Sequence, residues 1–310
     1  MQTILASGFW RNCSLKRAIS RRLVARALFV SVFTSVFTAG CSTLDFAYSM
    51  GPTALTLMAD NYLDLDGDQE TLLKERLLAV RESARMNQLA EVGKLFAEVR
   101  TRVDRKVTLD DVLWLTAEGR RQWKVLGTRV ATEIAELAPR LQADNIAALK
   151  KKLARNNTEY TKDTIEATSE KQRAKRFERV KENFERWYGN FDDAQIERMK
   201  ALSDVLPMNP RLVLDDRVRR QNTFITLLSG IMDKSLTRAE AEARLATLFT
   251  ELEQGRSAEY HAYAANYLSR SQAMTVEIAN LATPEQRVTA QRRFKRWADD
   301  MANLAARKEP

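Results

Sequence analysis

Asp192-Asp193-Ala194-Gln195-Ile196-Glu197-Arg198-Met199-Lys200-Ala201-Leu202 opens on an acid, places a glutamine three positions later, then spaces its apolar side chains at three and four. An aspartate in that first position accepts a hydrogen bond from a free N–H of the first helical turn. The glutamine reaches back to the aspartate's own N–H. Ile196, Met199, Leu202 and Leu206 then fall on one face of the helix that follows. A helix with a single apolar stripe has to bury it against a neighbour, so this stretch predicts helix packed on helix.

The same grammar recurs along the chain. Asp66-Gly67-Asp68-Gln69, Ser169-Glu170-Lys171-Gln172, Thr237-Arg238-Ala239-Glu240 and Thr283-Pro284-Glu285-Gln286 repeat it, and Thr108-Leu109-Asp110-Asp111 is a version with a shorter acid. Pro284 takes the first helical position, where its missing N–H costs nothing. These starts predict six helices, with further ones near Gln142, Pro210 and Arg256. Behind them run apolar stripes: Ile146, Leu149, Leu153 and Tyr160; Phe177, Val180, Phe184 and Trp187; Leu245, Leu248 and Leu252; Phe294, Trp297, Met301 and Leu304. Gly189 is placed as a helix stop. Pro207-Met208-Asn209-Pro210 is the clearest break. Phe46 to Tyr62 is apolar, carries Pro52 near its start, and is expected to lie as a helix against the body. With only 10 Gly and 6 Pro in 310 residues and 29% charged residues, the composition favours helix over sheet. The expected fold is all-α: a multi-helix bundle of antiparallel amphipathic helices, forming a single domain over 46–310 with a possible internal break at 207–210. Phe184-Glu185-Arg186-Trp187 and Phe294-Lys295-Arg296-Trp297 look alike, and both read as core packing.

Ahead of the bundle, residues 1–40 hold six basic side chains and no acid, and end in the apolar run Ala27 to Phe37. A basic segment, a short apolar one and small residues before a cut are the parts of a secretory signal. The run is shorter than the roughly 20 apolar residues a membrane span needs. Thr38-Ala39-Gly40-Cys41 closes it in the pattern of a bacterial lipobox, in which the thiol takes a diacylglycerol and the freed amine a further acyl chain. Thr38 departs from the aliphatic residue usual at that position. The sequence therefore predicts a lipoprotein signal peptide over 1–40, removed on export, lipidation at Cys41, and a lipidated tether over 41–45.

This reading corrects the impression given by the charge. The formal net charge is +9, but six of the 50 Lys and Arg lie in the leader, which leaves the mature chain near +3. A nucleic-acid partner based on basicity is excluded on that ground. Cys13 goes with the leader, so Cys41 is the only mature cysteine and no internal disulfide is expected. A mature chain of roughly 270 residues can bury a core without one.

No constellation for chemistry stands out. His261 is the only histidine. It stands among Tyr260, Tyr263 and Tyr267 and reads as a partly exposed helical residue, not as part of a triad or metal site. Asp64, Asp66, Asp68 and Glu75 fall at carboxylate positions of a calcium loop. The glycine that loop requires is replaced by Gln69, so the acids read instead as charge at a helix N-terminus. Lys150-Lys151-Lys152 reads as a solvated face, with anionic headgroups as the minority partner. No glycine-rich phosphate loop is present. No catalytic, metal or cofactor-binding residue is expected, and the only covalent group is the lipid on Cys41.

With the lipobox followed by Asn61-Tyr62-Leu63-Asp64-Leu65 and Gln69, then Trp187-Tyr188-Gly189-Asn190-Phe191 and Gln195, the chain resembles a family of all-helical proteobacterial lipoproteins of unknown function. Their marks are a lipobox, an early Tyr-x-Asp-Leu-x-x-x-Gln and a later Trp-x-Gly-x-Leu-x-x-x-Gln; Phe191 replaces the usual Leu. A weaker likeness is to periplasmic stress chaperones marked by Leu-Thr-x-x-Gln helix starts, carried by Leu65 to Gln69 and Ala282 to Gln286. The resemblance implies localisation and fold, and with Ser42 in the sorting position it implies the outer membrane, facing the periplasm. The expected role is a non-enzymatic envelope component, held to the membrane by lipid and binding another envelope protein. The alternatives are a chaperone-like protein shielding unfolded envelope proteins and, less favoured, a carboxylate-based hydrolase.

Overall fold

The computed structural model describes residues 43–250 and 256–307. The expectations at residues 1–40, Cys41 and Ser42 lie outside the described residues. Eleven α-helices and no strand occur among the described residues: α1 (Thr43–Leu63), α2 (Gly67–Asn87), α3 (Leu89–Val103), α4 (Leu109–Leu137), α5 (Ala143–Tyr160), α6 (Ser169–Tyr188), α7 (Asp193–Asp204), α8 (Pro210–Met232), α9 (Arg238–Thr250), α10 (Ala258–Leu281) and α11 (Pro284–Ala306). The all-α expectation holds. A 3₁₀ turn, Ala138–Arg140, follows α4, and a π-helical turn, Thr161–Ile165, follows α5.

The starts read from sequence are real caps. Asp66, Thr108, Asp192 and Thr283 each accept from the N–H three residues on, and Gln69, Asp111, Gln195 and Gln286 reach back. Thr237 and Glu240 do the same ahead of α9. Gln142, Asn209 and Ser257 begin the helices expected near Gln142, Pro210 and Arg256. Two expectations shift. The cap of α6 is Thr168, not Ser169, because Gln172 turns away to donate to the carbonyls of Thr164 and Ala167 that close the π turn. Residues 43–45, expected in the tether, already belong to α1.

Two apolar cores lie within one compact unit, Ala47–Pro310. The first gathers Leu65 and Leu73, the end of α4 (Ala131, Ala135, Leu137), Ile146 and Leu149 of α5, the end of α8 (Leu227, Leu228, Ile231), and Ala241 and Leu245 of α9. The second gathers Val99 and Val103 of α3, Val112 at the start of α4, Met199 of α7, Ile278 and Ala279 at the end of α10, and Ala290 and Phe294 of α11. α4 thus feeds both cores from its two ends. Its middle meets α9 at Gly127, where a Cβ would stand 3.1 Å from Thr250 Cγ2. At Gly93 of α3 a Cβ would stand 3.2 Å from the Ala298 carbonyl of α11. Glycine in a helix interior costs about 0.5–1 kcal/mol relative to alanine; here it allows two backbones to approach. The two look-alike aromatic pairs meet each other. Trp187 stacks on Phe294 with centroids 4.3 Å apart and planes at 11°, and Phe96 and Trp297 complete the group.

Beside each core, two helix starts face one another and exchange amide hydrogen bonds. Gln69 Nε2 donates to Asn145 Oδ1 (3.0 Å) and to the Arg140 carbonyl (2.8 Å); Asn145 Nδ2 donates to Gln69 Oε1 (3.2 Å) and to the carbonyls of Leu63 and Asp64. Gln195 Nε2 donates to Gln286 Oε1 (2.9 Å) and the Leu281 carbonyl; Gln286 Nε2 donates to Gln195 Oε1 (3.0 Å) and the Asn190 carbonyl. Each amide oxygen also accepts the N–H of its own capping residue. All four carboxamides are therefore fully used.

This is one plan drawn twice. Asp66, Thr108 and Gln142 open helices in the first half in the same order as Asp192, Thr237 and Thr283 in the second. The residue before each paired start is buried: Leu65, Leu141, Phe191 and Ala282. So is the residue seven after each cap: Leu73, Leu149, Met199 and Ala290. Leu137 and Ala138 before Gln142 match Ile278 and Ala279 before Thr283, all buried.

Truncating one amide leaves its partner's polar atoms buried without partners, at about 1–3 kcal/mol per group. Gln69→Met and Gln195→Met should each lower unfolding free energy in urea by roughly 2–3 kcal/mol. The double change Gln69→Met/Asn145→Leu should cost less than the sum of its single changes; additive losses would argue against the pairing.

Candidate functional site

The sites weighed from sequence separate in space and role. Cys41 lies outside the described residues. His261 is exposed on α10, while its neighbour Tyr260 is buried. Asp66 is a cap, Asp68 and Glu75 are inside α2, and Asp64 takes a positive φ of 51° between α1 and α2. Among the described residues no group of three or more His, Cys, Asp or Glu is placed to hold a metal ion. Of the lysine run, Lys152 leans over the Tyr62 ring (5.5 Å) and donates to Asn61 Oδ1. With Lys151, Arg155, Asp60 and Asp64 it lines a shallow depression of mixed charge.

What sequence reasoning did not assemble is a cluster of arginines and tyrosines around Asp216. Asp216, in the first turns of α8, has a side chain only 4% exposed. Arg219, one turn on, donates to its Oδ1 through Nε (3.2 Å) and Nη2 (2.9 Å). Arg220 Nε and Arg256 Nε stand 3.4 and 3.5 Å from its other oxygen. Neither of those nitrogens nor Asp216 Oδ2 completes a hydrogen bond. Three guanidiniums thus share one buried carboxylate. Arg256 also covers the Tyr260 ring, its Cζ 4.6 Å from the centroid, and Arg217 faces Tyr160 at 5.6 Å. Guanidiniums over ring faces gain cation–π attraction. Tyr260, Tyr263 and Tyr267 follow along α10 with centroids 6.1 and 6.3 Å apart. Arg176 of α6 lies beyond, buried, donating from Nη1 to the Leu206 carbonyl at the end of α7.

Burial sets the ionisation here. It pushes Tyr263 up to about 12 and raises Tyr160 and Tyr260, so these phenols keep their protons at neutral pH. Burial also lowers Arg220 and Arg176, because a low-dielectric setting disfavours the charged form. The anion that these cations face is Asp216 itself, so the cluster ties the start of α8 to Arg256 ahead of α10. The local signal available in the sequence was Asp216 three and four residues before Arg219 and Arg220; nothing local brings in Arg256.

Elsewhere, carboxylates whose pKa departs from the ordinary value depart downwards: Glu82, Asp111, Glu118, Asp233, Glu240 and Glu285. Asp111 shows the cause most fully. Arg105 grips both its oxygens at 2.7 Å, and Thr108 and Arg102 add further donors. These hold the carboxyl well below the usual range.

Residues 61–261 match the model of a family of unknown function (DUF6279), and the chain belongs to that family. No curated protein and no solved structure matches it.

Asp216→Asn should destabilise the fold by roughly 3–5 kcal/mol, since it strands buried guanidiniums without a countercharge; a change under 1 kcal/mol in urea unfolding would show that the charges are neutralised otherwise. Asp111 yields a pH dependence. Its lowered folded pKa contributes stability that is fully present above about pH 5 and lost as pH falls towards the folded value. Asp111→Asn should therefore flatten the acid side of the stability profile, measured by urea midpoint from about pH 6 down to about pH 2.

Proposed function

We propose that the protein is a lipid-anchored component of the bacterial cell envelope, a lipoprotein facing the periplasm from the outer membrane, that acts by binding and not by catalysis. The observation that carries this reading is Thr38-Ala39-Gly40-Cys41 closing an acid-free basic and apolar leader. A cut before Cys41 removes the leader's positive charge, and a diacylglycerol with a further acyl chain on Cys41 holds the body. Each buried methylene contributes about 0.8 kcal/mol, and two or three chains suffice for stable anchoring where one does not. Ser42 supports outer-membrane sorting. The downward-shifted carboxylates favour a binding role over a carboxylate hydrolase, which needs an acid held protonated. The envelope partner is a protein, to be identified by crosslinking in intact cells.

Cells fed an alkyne analogue of palmitate should label the wild-type protein and not Cys41→Ser, and the variant should leave the membrane fraction. A mature N-terminus at any residue other than Cys41, measured by mass, removes the reading.

A further inference from the structure

α1 combines exposed apolar side chains with an uncharged stretch of sequence. Pro52 and Thr56 are buried, with Thr56 Oγ1 donating to the Pro52 carbonyl (2.9 Å), and Ala59, Tyr62 and Leu63 pack against the first core. Opposite Pro52 and Thr56, at helical spacing, stand Ala47, Met50, Ala54, Leu57 and Met58. Met50 is 44% exposed and Leu57 64%. No charged residue occurs anywhere from Phe46 to Ala59, in a chain that is 29% charged. A helix apolar on both sides is stable in a globular protein only when both sides are covered. No helix among the described residues is long and apolar enough to cross a membrane.

We infer that the outer face of α1 lies in the lipid leaflet that receives the acyl chains of Cys41. The inference rests on the lipoprotein reading and adds a second, protein-borne contact to it. Chain length favours this occupant over any other. Only six residue steps separate Cys41 from Ala47, and an extended chain spans at most about 3.3–3.6 Å per residue. An acylated Cys41 therefore keeps the start of this face within roughly 20 Å of its own anchoring point. Interfacial helices bury an apolar face about 5–10 Å into the headgroup and acyl boundary. The contact is apolar in kind: α1 carries no Lys or Arg and has Asp45 near its start, so attraction to anionic headgroups does not drive it. Lys152 meets α1 at Asn61 and Tyr62, past the uncharged stretch, and is not required.

The test uses full-length acylated protein in phosphatidylethanolamine–phosphatidylglycerol vesicles, with its acylation first verified by mass. With Cys41 acylated and Cys13 removed, a thiol introduced by Met50→Cys, Leu57→Cys or Met86→Cys is the only reactive one. Each is labelled with an environment-sensitive fluorophore. Met86 is the control: it is 63% exposed, apolar, and on α2. The expected result is blue-shifted emission at 50 and 57, lost when the lipids carry bromine on their acyl chains and unchanged in 1 M salt, with water-like emission at 86. Water-like emission at 50 and 57 in acylated, vesicle-bound protein overturns the inference and leaves the anchor standing. So does disulfide crosslinking between two copies through position 50 without vesicles, which makes the face a dimer contact. Quenching that disappears in 1 M salt overturns the apolar character of the contact. Protein that carries no acyl group and does not bind vesicles overturns both readings.

Discussion

The fold depends on a reciprocal bond between two primary amides, made twice. A glutamine at the third helical position has a local duty, to return a hydrogen bond to its capping residue. That duty uses only its oxygen. The two N–H donors remain, and in Gln69, Asn145, Gln195 and Gln286 they are spent on another helix start and on the loop carbonyl that precedes it. One side chain thus ends a loop, begins a helix and fixes the distance to a second helix. Buried amides tolerate no slippage, because a shift of one residue would leave several donors without partners. The apolar side chains one before and seven after each cap then fall into register without further instruction.

The weaker likeness to Leu-Thr-x-x-Gln chaperones acquires a physical meaning in the same place. Leucine, or Phe191, before the cap is a core residue, the capping residue is local, and the glutamine is the cross-link. Any helical protein that joins helix starts through amides needs this pattern. The pattern therefore speaks to architecture and carries no activity with it.

How much could be read beforehand follows from which interactions are local. Caps and stripes are set within one or two turns, so most helix starts and the all-α class were legible. The boundary between α2 and α3 was not. Gln88 there makes no capping bond through its side chain and instead donates to the Gln122 carbonyl, a contact invisible in a linear reading. The shift from Ser169 to Thr168 has the same origin, since Gln172 was claimed by the preceding turn. The amide pairs span 76 and 91 residues, and the Asp216 cluster draws on α5, α8 and α10. Neither has a signature at helical spacing beyond Asp216 with Arg219 and Arg220. The likeness of the two paired starts was concealed because they tolerate Asp, Gln or Thr as caps and Asn for Gln.

The way the halves interlock bears on when the molecule can be assembled. α3 closes against α11, and α4 closes against α9, so helices made early wait for helices made late. Phe294, near the C-terminus, completes the core that Phe96 and Val99 begin. A nascent chain lacking its last two helices holds every residue of the first core but not of the second, and contacts of such long sequence separation form slowly. That delay keeps the second core open, and its share of the chain pliable, until the last helices have been made.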